Sequence, residues 1–201
     1  MESGLSLAFA LIVGFGHAFE ADHLLAISTL VSKSKNHQQV LYNGFIWGLG
    51  HTSTIFLMGM LLILFQVQTL KLYFDYFEIF VGLMLILLGI IRIVKRTQEE
   101  MQEVPKHQHS GEAYGIGLVH GLAGSGALIL LVMADLETSW EAIAYLLIFG
   151  LGSAIGMSVA ATVLRLPLLK GKLLDQRKNI FNWIASGLCI AYGIHILLRF
   201  V

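Results

Sequence analysis

Cysteine is almost missing from this sequence. The lone Cys189 lies in an apolar run, which excludes an internal disulfide and any chemistry that shuttles electrons between paired thiols of the chain. Proline is nearly as scarce: Pro105 falls between apolar segments and Pro167 just past one, so no helix interior is broken by proline. Charge is thin as well. Asp, Glu, Lys and Arg make up 13% of the residues, against roughly a quarter in soluble domains, while 56% are hydrophobic. An ordinary soluble fold is thereby excluded. Thirteen basic residues cancel thirteen acidic ones, and no nucleic-acid partner is expected. No Walker motif occurs, so the chain does not hydrolyse ATP.

Apolar length is what the chain has instead. Six segments can be drawn: Leu5 to Val31, Val40 to Phe65, Tyr76 to Val94, Tyr114 to Ala134, Glu141 to Leu164 and Ile180 to Phe200. Each approaches or exceeds the roughly 20 residues that cross a bilayer as a helix. The start, MESGLSLAFALIVGFGHAFEADH, has an acid in place of a basic n-region and no clear small-residue cleavage site. It is expected to be the first membrane helix and not a removed signal peptide. Eleven of the thirteen Lys and Arg residues fall on one side of these segments, leaving Lys71 and Arg199 on the other. By the positive-inside rule the first side is cytoplasmic, which puts both termini outside.

The two halves of the chain resemble each other. GFGHAFEADHLLAI from Gly14 matches GLVHGLAGSGALIL from Gly117, pairing His17 with His120. WGLG at Trp47 matches FGLG at Phe149, and IFVGL at Ile79 matches IASGL at Ile184. With three spans in each half, the halves must enter the membrane in opposite directions. The expected fold is all-α and integral to the membrane: six helices as two inverted three-helix repeats, N-out and C-out. The expected organisation is one transmembrane domain over 1–201, with repeat one at about 5–94, a cytoplasmic loop at about 95–113 and repeat two at about 114–200. The 21 glycines lie mostly inside segments, where they permit close helix packing or local unwinding.

Charged side chains at mid-membrane cost roughly 2.5 to 3.5 kcal/mol each even on lenient insertion scales, so they require partners or a purpose. Segment one carries Glu20 and Asp22 flanked by His17 and His23, and segment two places His51 at a comparable depth. On a regular helix His17, Glu20 and His23 form a slowly drifting row while Asp22 points elsewhere. Either the helix is distorted after Gly14 and Gly16, or Asp22 acts from behind the ligands. Imidazole and carboxylate in one water-poor pocket suit a divalent transition metal such as Ni²⁺, Co²⁺, Zn²⁺ or Cu²⁺. His120 joins the candidate ligands His17, Glu20, Asp22, His23 and His51. A proton relay or a structural ion-pair network is the alternative for the same residues. His195 reads as structural or interfacial, Thr52, Ser53 and Thr54 as hydrogen-bonding groups between helices, and His107 and His109 as a solvated loop.

HAFEADH from His17 fits the H-x4-D-H signature of the nickel/cobalt transporter family, with LLAI continuing it, and GLGHTST around His51 resembles that family's second-helix histidine motif. The short form is most similar to the urease-accessory-type membrane proteins within that group. The resemblance implies that His17, Asp22 and His23 are essential to metal recognition and that His51 assists. It departs from the longer permeases, which have eight helices and commonly an Asp where this chain has Glu20.

The expected function is secondary transport of a divalent cation, Ni²⁺ or Co²⁺, across the cytoplasmic membrane by a multi-pass protein, in the direction of uptake. The metal is cargo and no prosthetic group is expected. Expected partners are the metal ion and the lipid bilayer, with a homo-oligomer and a cytoplasmic metal acceptor left open. A metal- or proton-binding membrane sensor is the alternative. A rival class is an intramembrane serine protease resembling rhomboid, using Ser125 of AGSG and His195. The HAFEADH cluster goes unexplained on that reading, and no enzymatic activity is expected.

Overall fold

The structure, a computed structural model, describes residues 2–34, 36–65, 74–99, 109–123, 138–166 and 174–200. Among them every regular element is a helix: α1 Glu2–His17, α2 Ala21–Lys33, α3 His37–Phe65, α4 Phe74–Glu99, α5 His109–Ala123, α6 Ser139–Arg165 and α7 Leu174–Leu198. Among the described residues, four helices are long and apolar enough to cross a bilayer, over His37–Leu61, Tyr76–Val94, Trp140–Arg165 and Asn179–Leu198. The pair Leu7–His17 and Ala21–Val31, bent by 61°, makes a fifth if counted as one broken span. The expected fourth segment, Tyr114 to Ala134, is described only as far as Ala123, within α5.

Apolar side chains point outward along these helices, as in Ile12, Leu57, Trp140, Ile184 and Leu188, while histidines, serines and one arginine are buried inside. A surface of this kind is stable only against lipid, and the arrangement is that of a membrane protein.

The bend in the first segment follows from where its polar residues fall. After His17 the chain closes a tight turn, with Phe19 N–H donating to Gly16 O at 3.0 Å and Glu20 N–H to His17 O at 3.1 Å. Glu20 then adopts extended backbone, and α2 starts with Leu24 N–H donating to Glu20 O at 2.9 Å. The break leaves N–H groups at the start of α2 without helical acceptors, and Asp22 in that first turn supplies the negative charge they favour.

Small residues let the helices approach backbone to backbone. On α1, a Cβ added to Gly14 would run into the Phe149 carbonyl of α6; on α5, one added to Gly117 would run into the Trp47 carbonyl of α3. Thr52 donates to Gly150 O at 3.0 Å and Thr54 to Leu118 O at 2.9 Å, and with Ser53 all three hydroxyls after His51 bond between helices. Ser53 donates to Leu49 O of its own helix at 2.7 Å and accepts from Tyr114 Oη at 3.2 Å.

The far half of α2 is held by buried polar groups. Arg92 of α4 donates to Ser28 Oγ at 3.1 Å, Ser28 O at 2.7 Å and Asn182 Oδ1 at 3.1 Å, with its guanidinium 5.5 Å from the centre of the Phe181 ring. Arg165 of α6 donates to Ser34 O at 2.8 Å just past the end of α2. Cys189 is buried, its thiol donating to Leu25 O at 3.4 Å.

Candidate metal centre

The break between α1 and α2 brings together side chains that a straight helix would spread around its circumference. His17, the last residue of α1, and His23, on the first turn of α2, have ring centroids 4.4 Å apart. His51, midway along α3, lies 5.2 Å from His17 and 5.1 Å from His23 by the same measure, and His120 of α5 lies 4.9 Å from His23. His17 and His51 stand side by side, and of the two alternatives that the sequence left for segment one, a distorted helix or Asp22 acting from behind the ligands, the structure shows the distortion. Trp47 stacks edgewise against His23 and His120, each at 5.6 Å, and Phe149 closes on His17 at 5.6 Å.

The two carboxylates hold two of the rings. Glu20 Oε1 lies 2.8 Å from His17 Nδ1, and Asp22 Oδ1 lies 2.9 Å from His23 Nδ1. A carboxylate on Nδ1 makes that nitrogen the N–H and leaves Nε2 with its lone pair, the form that binds metal. The two acids are not equivalent: the side chain of Asp22 is 17% exposed and that of Glu20 is 54% exposed. Asp22 also reaches toward α5, with Oδ2 3.7 Å from His120 Nε2.

His23, His51 and His120 are fully buried and His17 nearly so. Yet Nε2 of His17 and His23, and both ring nitrogens of His51 and His120, have no hydrogen-bond partner. A buried polar atom left unpaired costs about 1–3 kcal/mol, so such a cluster is expensive unless a ligand completes it. Among the described residues, two groupings have donor atoms mutually within 4.8 Å: His17, His23 and His51, and Asp22, His23 and His120. Nitrogen-rich donors of this kind match borderline transition metals better than Mg²⁺ or Ca²⁺, which take oxygen.

Over 204 aligned residues the chain is 33% identical to the urease accessory protein UreH of Bacillus sp. (strain TB-90), covering 95% of this chain and 90% of that protein. The chain belongs to the UreH family of urease accessory proteins. It is also 24% identical over 202 residues to the chloroplast protein FOR GROWTH AND FERTILITY 1 of Arabidopsis thaliana, covering 88% of this chain but 54% of that longer protein. No protein-family model matches the chain, and no solved structure matches it. Membership of the UreH family, which agrees with the short urease-accessory resemblance of HAFEADH and GLGHTST, places the chain among accessory proteins and not enzymes. Ser125, on which a protease reading depends, lies outside the described residues, as do His107 and the side chain of His109. His195 is exposed near the end of α7 with its ring 6.1 Å from that of Tyr192, as an interfacial residue would be.

Two features of this UreH-family site carry no sequence motif. One is the aromatic wall of Trp47 and Phe149, visible in the sequence only as a repeat-matched pair. The other is a cavity of about 330 Å³ lined by Glu20, Asp22, Glu78, Tyr192 and Arg199 together with Ala21, Val81 and Ile196. It opens onto the carboxylates that hold His17 and His23. Glu78 Oε2 accepts from Arg199 at 3.0 Å across its rim. Glu78 lies in the third apolar segment and Arg199 in the last, 121 residues apart, so no local pattern could have joined them.

Proposed function

We propose that this protein carries a divalent transition-metal cation, Ni²⁺ in preference to Co²⁺, across the cytoplasmic membrane in the direction of uptake. The carrying observation is the cluster of four buried histidines with unpaired ring nitrogens, set among helices able to span a bilayer. Cargo of this charge and softness would satisfy the orphaned nitrogens, and leaving would restore the cost. The nickel/cobalt resemblance of HAFEADH and membership of a urease accessory family both fit nickel as cargo.

The inverted repeat supports a carrier. Laying Gly14 on Gly117 and Trp47 on Phe149 pairs Gly50 with Gly152, Leu11 with Tyr114 and Phe15 with Leu118. The contacts obey the same pairing. Gly14 of α1 meets the carbonyl of Phe149 as Gly117 of α5 meets that of Trp47, and Gly50 of α3 meets Tyr114 O and Leu118 N as Gly152 of α6 meets Leu11 O and Phe15 N. Reciprocal packing of this sort is what a pseudo-two-fold axis through the α3–α6 contact produces, and rocking of one repeat against the other gives alternating access. The acidic cavity at Glu20 and Asp22 is the access path on the side where α4 begins and α7 ends. An inside-negative potential favours a cation by about 2.3 kcal/mol per charge per 100 mV, roughly twice that for a divalent ion, so uptake needs no coupled ion.

Purified protein in proteoliposomes tests this reading with Ni²⁺, Co²⁺, Zn²⁺ and Mn²⁺ offered in turn under an imposed potential. Saturable flux, led by Ni²⁺ and lost in His17→Ala and His51→Ala, is the expected result. Binding without flux at any potential or pH gradient would make the protein a metal-binding sensor and overturn the carrier.

A further inference from the structure

The two donor groupings share one residue. His17, His23 and His51 form one set and Asp22, His23 and His120 the other, with His23 common to both. We propose that the cation crosses the middle of the protein in two steps, held first by His17, His23 and His51 and then handed through His23 to Asp22 and His120. This rests on the carrier reading above and adds to it a path and an order.

Three observations point the same way. First, the ring spacings make His23 the hub: its neighbours stand at 4.4 Å (His17), 5.1 Å (His51) and 4.9 Å (His120), so a cation can exchange partners around it without leaving ligand reach. Second, His17 and His120 fall at matching positions of the two repeats. Groups related by an in-plane axis lie at equal and opposite depth, so His17 and His120 stand on either side of the shared His23 along the path. Third, the donor sets differ in charge. The first is three neutral imidazoles, and the second includes the Asp22 carboxylate, which draws the cation onward by direct charge attraction. Two divalent ions cannot fill both sets at once. They would share one ring and repel strongly in a low-dielectric interior, so the sets are alternatives.

The two repeats do not supply equivalent donors. His51 has Ser153 as its counterpart, fully buried with its hydroxyl unpaired, so imidazole stands on the first side where only a weak hydroxyl donor stands on the second.

The test uses the full-length protein in detergent and in proteoliposomes, with Ni²⁺ for binding and flux and Co²⁺ as the spectroscopic probe. Wild type should bind one cation per chain. His51→Ala and His120→Ala should each still bind one, because each keeps the other set. Their bound Co²⁺ spectra should differ, an oxygen donor entering in His51→Ala and an all-nitrogen set remaining in His120→Ala. Flux should fall by about tenfold or more in both, the scale seen when a metal site loses a supporting group. His120→Gln serves beside His120→Ala in case the smaller residue impairs folding, with thermal stability read for each. Two cations per chain in wild type would overturn the hand-over, as would identical Co²⁺ spectra in the two variants or unchanged flux in both His120 variants. Loss of all binding in either single variant would show one indivisible site and overturn it too. Binding of no cation by wild type would instead overturn the carrier reading, and the hand-over with it.

Discussion

Alanine at Gly14 should destabilise the protein, while alanine at Gly16, two residues along the same helix, should not. A methyl group at Gly14 would overlap the Phe149 carbonyl oxygen and stand 2.9 Å from its carbon, whereas ordinary van der Waals contact begins near 3.4 Å; at Gly16 nothing lies within 4 Å. Since the obstacle is backbone, α1 must move off α6 by about 1 Å, a gap that forfeits a quarter to a half of the dispersion attraction along the seam. Overpacking of this kind costs about 1–3 kcal/mol, and the gain in helix propensity from Gly to Ala returns no more than about 1 kcal/mol. The net loss is about 1–2 kcal/mol at Gly14, which for a chain of this length lowers the melting temperature by roughly 2–8 °C. Gly117→Ala should behave like Gly14→Ala, because its methyl would overlap the Trp47 carbonyl, and Gly115→Ala like Gly16→Ala, because its surroundings are open. Thermal unfolding of the four variants in one detergent reads all of this. The same shift should loosen metal binding at Gly14→Ala, since His17 follows within a turn and its ring packs on Phe149 at 5.6 Å. Equal melting temperatures for Gly14→Ala and Gly16→Ala would refute the close-packed seam.

Replacing Asp22 with Asn should weaken Ni²⁺ binding by about 10–100-fold, or roughly 1.4–2.8 kcal/mol, because the amide carries no negative charge to strengthen His23 as a ligand or to balance the cation. Glu20→Gln should cost less, its carboxylate being more than half exposed and replaceable by water; equilibrium dialysis of the two variants gives the ranking, and the reverse order would count against the assignment. Flux should decline as the medium is acidified, because a protonated imidazole has no lone pair for metal and protons compete with the cation for the ring nitrogens. A flux constant from pH 5 to 8 would remove imidazole from the path. Arg92→Lys should lower thermal stability by about 1–3 kcal/mol despite keeping the charge, since an ammonium cannot fork between Ser28 and Asn182. A melting temperature unchanged from wild type would show that the fork contributes nothing.

Some of this was legible in one sequence. Long apolar segments and a scarcity of charge gave the all-helical membrane fold, because span length is a property of the chain alone. Acids beside histidines within an apolar segment pointed to the cluster that the structure gathers, because charge in such a segment is costly, although Glu20 proves to be more than half exposed. The bend of 61° in segment one was less accessible. Glycine at 14 and 16 permits a distortion without specifying one, and only the pairing of Glu20 with His17 and Asp22 with His23 decides where the helix yields. The cavity at Glu78 and Arg199 was not legible at all, since it depends on how α4 and α7 end beside α2.

The broken helix is also what makes the site electrostatically suitable for a cation. On a continuous helix His23 would stand about 9 Å further along than His17 and about 120° around the axis, too far for both to touch one ion. The break brings them to 4.4 Å and in doing so places two helix ends at the site. The C-terminal end of α1, at His17, presents carbonyl oxygens and partial negative charge, which favours a cation. The N-terminal end of α2, at Ala21, presents unpaired N–H groups and partial positive charge, which opposes one. Asp22 sits in that first turn, so its full negative charge more than offsets the roughly half-charge of the helix end while its other oxygen faces His120. An asparagine there would keep the hydrogen-bonding shape and lose the compensation, leaving the cation facing a positive helix end. The loss of binding in Asp22→Asn should therefore persist even if the His23 ring stays in place, and a structure of that variant with the ring unmoved but binding intact would show that the helix end does not matter.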